Sequence, residues 1–441
     1  MLETEILKRG DDSGNGTLIK YTSATGAVIK AIGVPLSWKS TLGPTWCYVI
    51  EGDDLTLVDP GCYGSLSYLE QGLEALGRSL TDVARIVVSH GHMDHDGSCP
   101  PVIRKSGAEL WAHEMYGFML QADRGDVERG WRREVQGFEA FEHSETMTRA
   151  MEHRELNHDL VLDHPVTDNL QAGGLTFYHT PGHSPDELCI KFDQVLFSGD
   201  HILPLITPHP SVAMSYNSFQ AKLPSAYRGE NEIYGLKALL TSLKRMAELD
   251  GNLTVLPAHR AFFRGQFNPI GVGRATEILE HHRNRCHELT DVMKSGPKEL
   301  VAITREYFSD RELEEQNFFL AFTEVMAHIE LMQEAGDIST QGNVASGNAW
   351  SNGLGPNVLI SWDGTDNFSG LIDGLYPAGL PLFHPIGYPL TDHYGGGVGV
   401  GPHHIWHNRR VRHSDVLHPV NPAVLIHHGA LIRSRAQLAG A

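Results

Sequence analysis

The stretch 87-VVSHGHMDHDGS-98 ends an apolar, β-branched run in a turn that holds three histidines and two aspartates. The run "RIVVS" leading into it reads as a strand. His90, His92, Asp94 and His95 therefore crowd the first residues beyond a strand end, and Gly91 lets the backbone turn tightly between them. Alternation along the backbone aims His90 and His92 one way and leaves Asp94 and His95 to a neighbouring position. Two adjacent pockets of imidazole and carboxylate donors result, a donor set suited to zinc. One turn completes neither pocket.

The missing donors are sought at other strand ends. "GLTFYHT" runs into "HTPGHSPDE" and His183, "QVLFSGD" stops on Asp200, and "LTVLPAH" stops on His259. Each lies just past a β-like run, where loops gather around the site in many α/β proteins. Read alone, His183 or His259 is an ordinary polar residue. Read with the H-x-H-x-D-H cluster, they complete a set of five histidines and two aspartates in consistent order.

Around these motifs, strand-like runs fall at 27–33, 46–51 and 54–59, followed by a helical pattern in "SLSYLEQGLEALG". "AELWAH" and "LCIKF" read as further strands. Residues 114–155 are charged and aromatic with helical spacing, and they interrupt the strands as a lid or a helical decoration. From 273 to 335 the pattern is helical, broken by Gly296-Pro297. Residues 339–441 contain no lysine and no glutamate and are frequent in Gly, Pro and His, which sets them apart as a separate segment.

At 441 residues the chain exceeds one ordinary domain. Its formal net charge of −19 argues against a dedicated nucleic-acid binder, since phosphate recognition needs clustered Lys and Arg. The five scattered cysteines fit a reducing compartment rather than a disulfide scaffold. "MLETEILKRGDDSGNGT" lacks the apolar core of a signal peptide, and no stretch reaches about 18 uninterrupted apolar residues. The expectation is a soluble, cytoplasmic protein with no membrane partner.

The motif series H-x-H-x-D-H, TPGH, SGD and PAH resembles the metallo-β-lactamase superfamily over residues 25–265. The resemblance implies an α/β fold, an αββα sandwich of two mixed sheets with the metal site at one edge. It also implies a ligand assignment: His90, His92 and His183 on a first zinc, Asp94, His95 and His259 on a second, and Asp200 bridging them. Asp59, in "VDPG", matches the family's buried aspartate, with an implied role of accepting a hydrogen bond from a ligand. "RATEILEHHRNRCHELTDVMKSGPKELVAITREYF" and "FTEVMAHIELMQEAGDI" resemble the winged-helix module of lactamase-β-like proteins. The implied organisation is an N-terminal extension (1–24), a catalytic domain (25–265), a helical winged-helix-like module (266–338) and a Gly/His-rich segment (339–441). Arg260 departs from the family pattern, in which glycine commonly follows the last histidine. His281 and His282 are expected to face solvent or pack rather than bind metal.

Two Zn²⁺ ions about 3.5–4 Å apart share a water and lower its pKa toward neutrality. Iron or manganese would suit a similar donor set. The expected chemistry is hydrolysis by a metal-bridging hydroxide, with Asp94 as ligand and orienter. The leading substrate is a small ester or thioester, acyl-CoA-like, and the reading admits a homo-oligomer. Arg124, Arg129, Arg132 and Arg133 would meet an acidic ligand or form a solvated helix face. His393, His403, His404 and His407 suggest a third metal site only weakly. The rivals are a single-strand endoribonuclease, a lactonase or β-lactam hydrolase and, last, a non-catalytic metal-binding module.

Overall fold

The computed structural model describes residues 2–121 (apart from 39, 41 and 53), 145–214, 223–229, 233–308, 315–342, 353–355 and 358–375. Eight strands, β1 (Glu3–Lys8), β2 (Leu18–Thr22), β3 (Val28–Val34), β4 (Thr45–Ile50), β5 (Leu55–Val58), β6 (Val83–Val87), β7 (Glu109–His113) and β8 (His164–Val166), form one sheet in chain order. It is mixed, antiparallel from β1 to β5 and parallel from β5 to β8. A second sheet runs β16-β13-β12-β11-β10-β9, from β9 (Gln171–Ala172), β10 (Leu175–His179), β11 (Leu188–Phe192), β12 (Val195–Phe197), β13 (Thr254–Leu256) and β16 (Ile270–Gly271).

Alternation along the strands explains why the sheets stack. In β4, Trp46, Tyr48 and Ile50 face Phe177, Ile190 and Phe197 of the second sheet. Cys47 and Val49 point the other way, against Leu69 and Leu73 of α1 (Leu66–Ala75) and Val102 of α2 (Cys99–Ser106). β11 repeats the pattern, with Leu188 and Ile190 between the sheets and Cys189 outside them. On that outer side lie α5 (Gly235–Ala247), α6 (Arg274–Met293) and α8 (Glu315–Glu334). Leu236, Leu239, Leu240 and Leu243 of α5 recur at the spacing that keeps one helix face inward. Helix, sheet, sheet and helix thus form four layers, the αββα architecture expected. All five cysteines are buried and free.

All three expected boundaries shift. Residues set apart as an N-terminal extension contain β1 and β2 of the large sheet. β1 (ETEILK) is exposed along nearly its whole length, as a charged edge strand is, so no buried face marks it in the sequence. At the other end, β17 (Ile338–Gln341) pairs with β18 (Leu359–Trp362), and α9 (Asn367–Asp373) buries Phe368 and Ile372 in the core shared with α6 and α8. The loss of Lys and Glu at 339 marks a change in composition across a folded hairpin. The boundary at 265/266 likewise falls within the hairpin of β14 (Phe262–Phe263) and β15 (Gln266–Phe267), and β16 still belongs to the second sheet. The four insertion arginines and the histidines beyond 375 lie outside the described residues.

Candidate metal centre

Strand direction places the site. Asp59 follows β5, the 90–95 turn follows β6, His183 follows β10, Asp200 follows β12 and His259 follows β13, so the loops leave the carboxyl ends of their strands at one edge of the sandwich. The 90–95 turn is held from below. Asp96 N and His95 N donate to His92 O at 3.0 and 2.9 Å, while Gly61 N and Tyr63 N donate to His95 O and Met93 O at 3.0 and 2.7 Å.

All seven expected groups come together. Donor atoms of His90, His92 and His183 lie within 4.8 Å of one another, as do those of Asp94, His95 and His259. Asp200 stands between the two triplets. His183 Nε2 is 3.7 Å from its Oδ2, whereas His95 Nε2 and His259 Nε2 are 3.6 and 3.3 Å from its Oδ1. His259 Nε2 is also 3.3 Å from Asp94 Oδ2. Apart from His92, these side chains are almost wholly buried.

The imidazoles are oriented from behind. His95 Nδ1 lies 3.0 Å from Asp59 Oδ2, and the same carboxylate accepts from Ser89 N at 2.7 Å and Ser89 Oγ at 2.8 Å. His183 Nδ1 donates to His209 O at 2.8 Å, and His259 Nδ1 to Pro44 O at 3.0 Å. His90 Nδ1 is 3.1 Å from Ser89 Oγ and 3.3 Å from Glu187 Oε2. With Nδ1 of His95, His183 and His259 committed to oxygen acceptors, Nε2 is the atom presented to the centre, an arrangement usual behind metal-binding histidines. Burial works against charge on His95. The nearby carboxylates of Asp94 and Asp200, with hydrogen bonds to Asp200 and Asp59, nevertheless hold its proton affinity well above that of a free imidazole. Positive charge is therefore favoured at this corner, and the imidazole and carboxylate donors fit divalent metal ions.

Several supporting groups carried no usable signal in the sequence. Glu187 is fully buried, and its Oε1 accepts from Asp200 N at 2.9 Å. Burial first and the Asp200 carboxylate second push its carboxyl well above the usual range. Asp186 accepts from Gly91 N at 2.8 Å. An acidic pair directly ahead of an apolar strand, as in "SPDELCI", was the one available hint. The carbonyls of Pro44 and His209 have no side-chain signature at all. Arg260 stands at φ 59°, in the left-handed region where a side chain is strained, which accounts for glycine being common there. Its guanidinium lies over Phe263 at 4.7 Å, and burial lowers its pKa to about 10.

Gly182, beside His183, has φ +131°, and a Cβ there would meet Leu239 N and Cα of α5 at 2.2 and 2.3 Å. Both atoms are backbone, so neither can give way cheaply. Gly182→Ala is expected to cost about 2–4 kcal/mol through overpacking and strain, read as a fall in the denaturation midpoint. An unchanged midpoint would refute the close approach.

A further cluster lies among the helices, where donor atoms of His282, Glu324 and His328 fall within 4.8 Å of one another. Most of its polar atoms are already bonded within the module. Arg285 bonds Glu324, His328 Nδ1 donates to Glu324 O at 2.7 Å, and His282 Nδ1 lies 3.0 Å from His328 Nε2. The guanidinium occupies the carboxylate that a cation would need. His282 is packed, as expected; His281 beside it is partly buried.

A four-layer αββα sandwich with two donor triplets about a shared aspartate defines a class of metal-binding hydrolase folds. Residues 40–259 match the metallo-β-lactamase superfamily model, and the chain belongs to that superfamily. It is 21% identical over 330 residues to the probable metallo-hydrolase YqjP of Bacillus subtilis (strain 168), covering 69% of this chain and 91% of the relative. The probable metallo-hydrolase MJ0888 of Methanocaldococcus jannaschii is 22% identical over 171 residues, 35% of this chain and 66% of its own. Among solved structures, the metallo-β-lactamase family protein TTHA1429 of Thermus thermophilus shares the fold with a TM-score of 0.55 and 24% identity, over 76% of this chain and 98% of that one.

Proposed function

We propose that this metal-dependent hydrolase cleaves a small ester or thioester at a centre of two zinc ions. The observation that carries the reading is Asp200, whose two oxygens face different donor triplets, Oδ2 toward His183 and Oδ1 toward His95 and His259. His90, His92 and His183 would hold one ion, Asp94, His95 and His259 the other, and Asp200 both. Metal ions bound there supply Lewis-acid activation of water and of the substrate oxygen. Asp94 orients the attacking water and takes its proton at a carboxylate oxygen. Asp59 and Glu187 keep His95 and His90 in place.

The surroundings favour an apolar substrate. Trp38, Leu42, Cys62, Met93, Leu203 and Ile206, from the metal turn and three loops beside it, pack as one buried apolar cluster. An acyl group suits apolar surroundings better than a phosphate backbone does, and the net charge of −19 points the same way. Helices α6, α7 (Leu300–Tyr307) and α8 followed by the β17–β18 hairpin are in line with a winged-helix module. No described helix is long and apolar enough to cross a membrane.

The test is a panel of acyl-CoA thioesters, simple esters, a lactone, a β-lactam and single-stranded RNA, run on the zinc-loaded chain and on Asp94→Ala. Turnover of esters or thioesters that falls at least about 100-fold in the variant is expected. RNA cleavage that disappears instead would overturn the substrate class, and full activity in Asp94→Ala would overturn the site.

A further inference from the structure

We infer that α8 of the helical module positions His183, and so helps to set the metal affinity of the first triplet rather than only covering the sandwich. The inference rests on the ligand reading above. The link runs through residues 209–214, a segment gripped at both ends.

At the metal end, His209 O accepts from His183 Nδ1 at 2.8 Å, fixing the ring so that Nε2 faces Asp200. One step away, Gly182 O accepts both Ser211 N and Ser211 Oγ at 2.7 Å, and Ser211 Oγ in turn accepts from Gly235 N at 3.0 Å. At the far end, Glu330 of α8 accepts two adjacent backbone donors, Ala213 N on Oε2 at 2.9 Å and Met214 N on Oε1 at 3.0 Å. The His209 imidazole reaches the same helix. Its Nε2 lies 3.4 Å from Leu320 O, 3.4 Å from Thr323 Oγ1 and 3.5 Å from Glu324 Oε2. His209, Ser211 and Met214 are almost wholly buried.

The carbonyl behind His183 is thus held by one helix more than a hundred residues further along the chain. A ligand imidazole binds well only when the acceptor on its other nitrogen stays in place, and loss of such acceptors typically weakens metal affinity about 10- to 100-fold. Glu330 acts on the backbone of Ala213 and Met214, so its role is positioning.

The experiment titrates zinc off the full chain with a competing chelator, resolving the two equivalents, in the parent, Glu330→Ala, Glu330→Gln, Thr323→Val and His183→Ala. Thermal melts and far-ultraviolet dichroism check the fold, and the absorption spectrum of the cobalt-substituted protein reports ligand geometry. The expected result is one equivalent weakened about 10-fold or more in Glu330→Ala with the other unchanged, an altered cobalt spectrum, and partial recovery in Glu330→Gln, which keeps one acceptor oxygen. Unchanged constants in a folded Glu330→Ala, or equal weakening of both equivalents, would overturn the inference. If Glu330→Ala is not recovered folded, Thr323→Val, which removes the α8 hydroxyl 3.4 Å from His209 Nε2, decides by the same criterion. His183→Ala separates the two readings: should it leave both equivalents unaltered, the ligand assignment fails, whatever Glu330 does.

Discussion

Asp200→Ala is expected to lower kcat/KM by about 10³-fold or more, some 4 kcal/mol of transition-state stabilisation, and to reduce the bound metal below two equivalents. Substituting any other candidate donor would remove an atom from one triplet alone. This one removes the carboxylate that faces both, His183 from one oxygen and His95 with His259 from the other. Metal analysis beside kinetics checks it. Two retained equivalents in an active variant would show that the triplets do not depend on a shared carboxylate.

The second large effect concerns stability. Glu324 is buried, and the Arg285 guanidinium, itself only 12% exposed at the side chain, is its principal ion-pair partner. Burial alone would raise the Glu324 carboxyl; Arg285, then the neighbouring histidines, hold it below its ordinary value instead. Arg285→Ala leaves that charge buried without its guanidinium, at an expected cost of about 3–5 kcal/mol. Combining it with Glu324→Leu should restore part of the loss, because no charge is then left buried without its counter-ion. Chemical denaturation of the two variants decides the point. A single variant as stable as the parent would mean that the carboxyl takes up a proton at little cost.

The clustering of the seven candidate donors was legible because their motifs close or directly follow apolar runs, so chain order alone put His90, His183, Asp200 and His259 at strand ends. The four-layer architecture followed the family resemblance, and the buried strands bear it out through the split of Trp46 and Cys47 onto opposite faces. What escaped has a physical reason in each case. β1 has no buried face, and β17 pairs with a strand 18 residues beyond its own end across a change in composition. Glu187 and the carbonyls behind His183 and His259 act through contacts that arise only on folding.

Asp96, next to the metal turn, is bound from two sides. Tyr116 Oη donates to it at 2.9 Å from α3 (Glu114–Gln121), and His153 Nε2 and Asn157 Nδ2 reach it at 2.5 and 2.9 Å from α4 (Glu145–Asn157). Both feet of the 114–155 insertion therefore stand on one buried carboxylate. With both anchor points fixed, a doubling of the number of residues between them costs only about 0.6 kcal/mol in closure entropy. Segments of different length can therefore be exchanged between the two anchors while the histidine turn beside Asp96 keeps its shape.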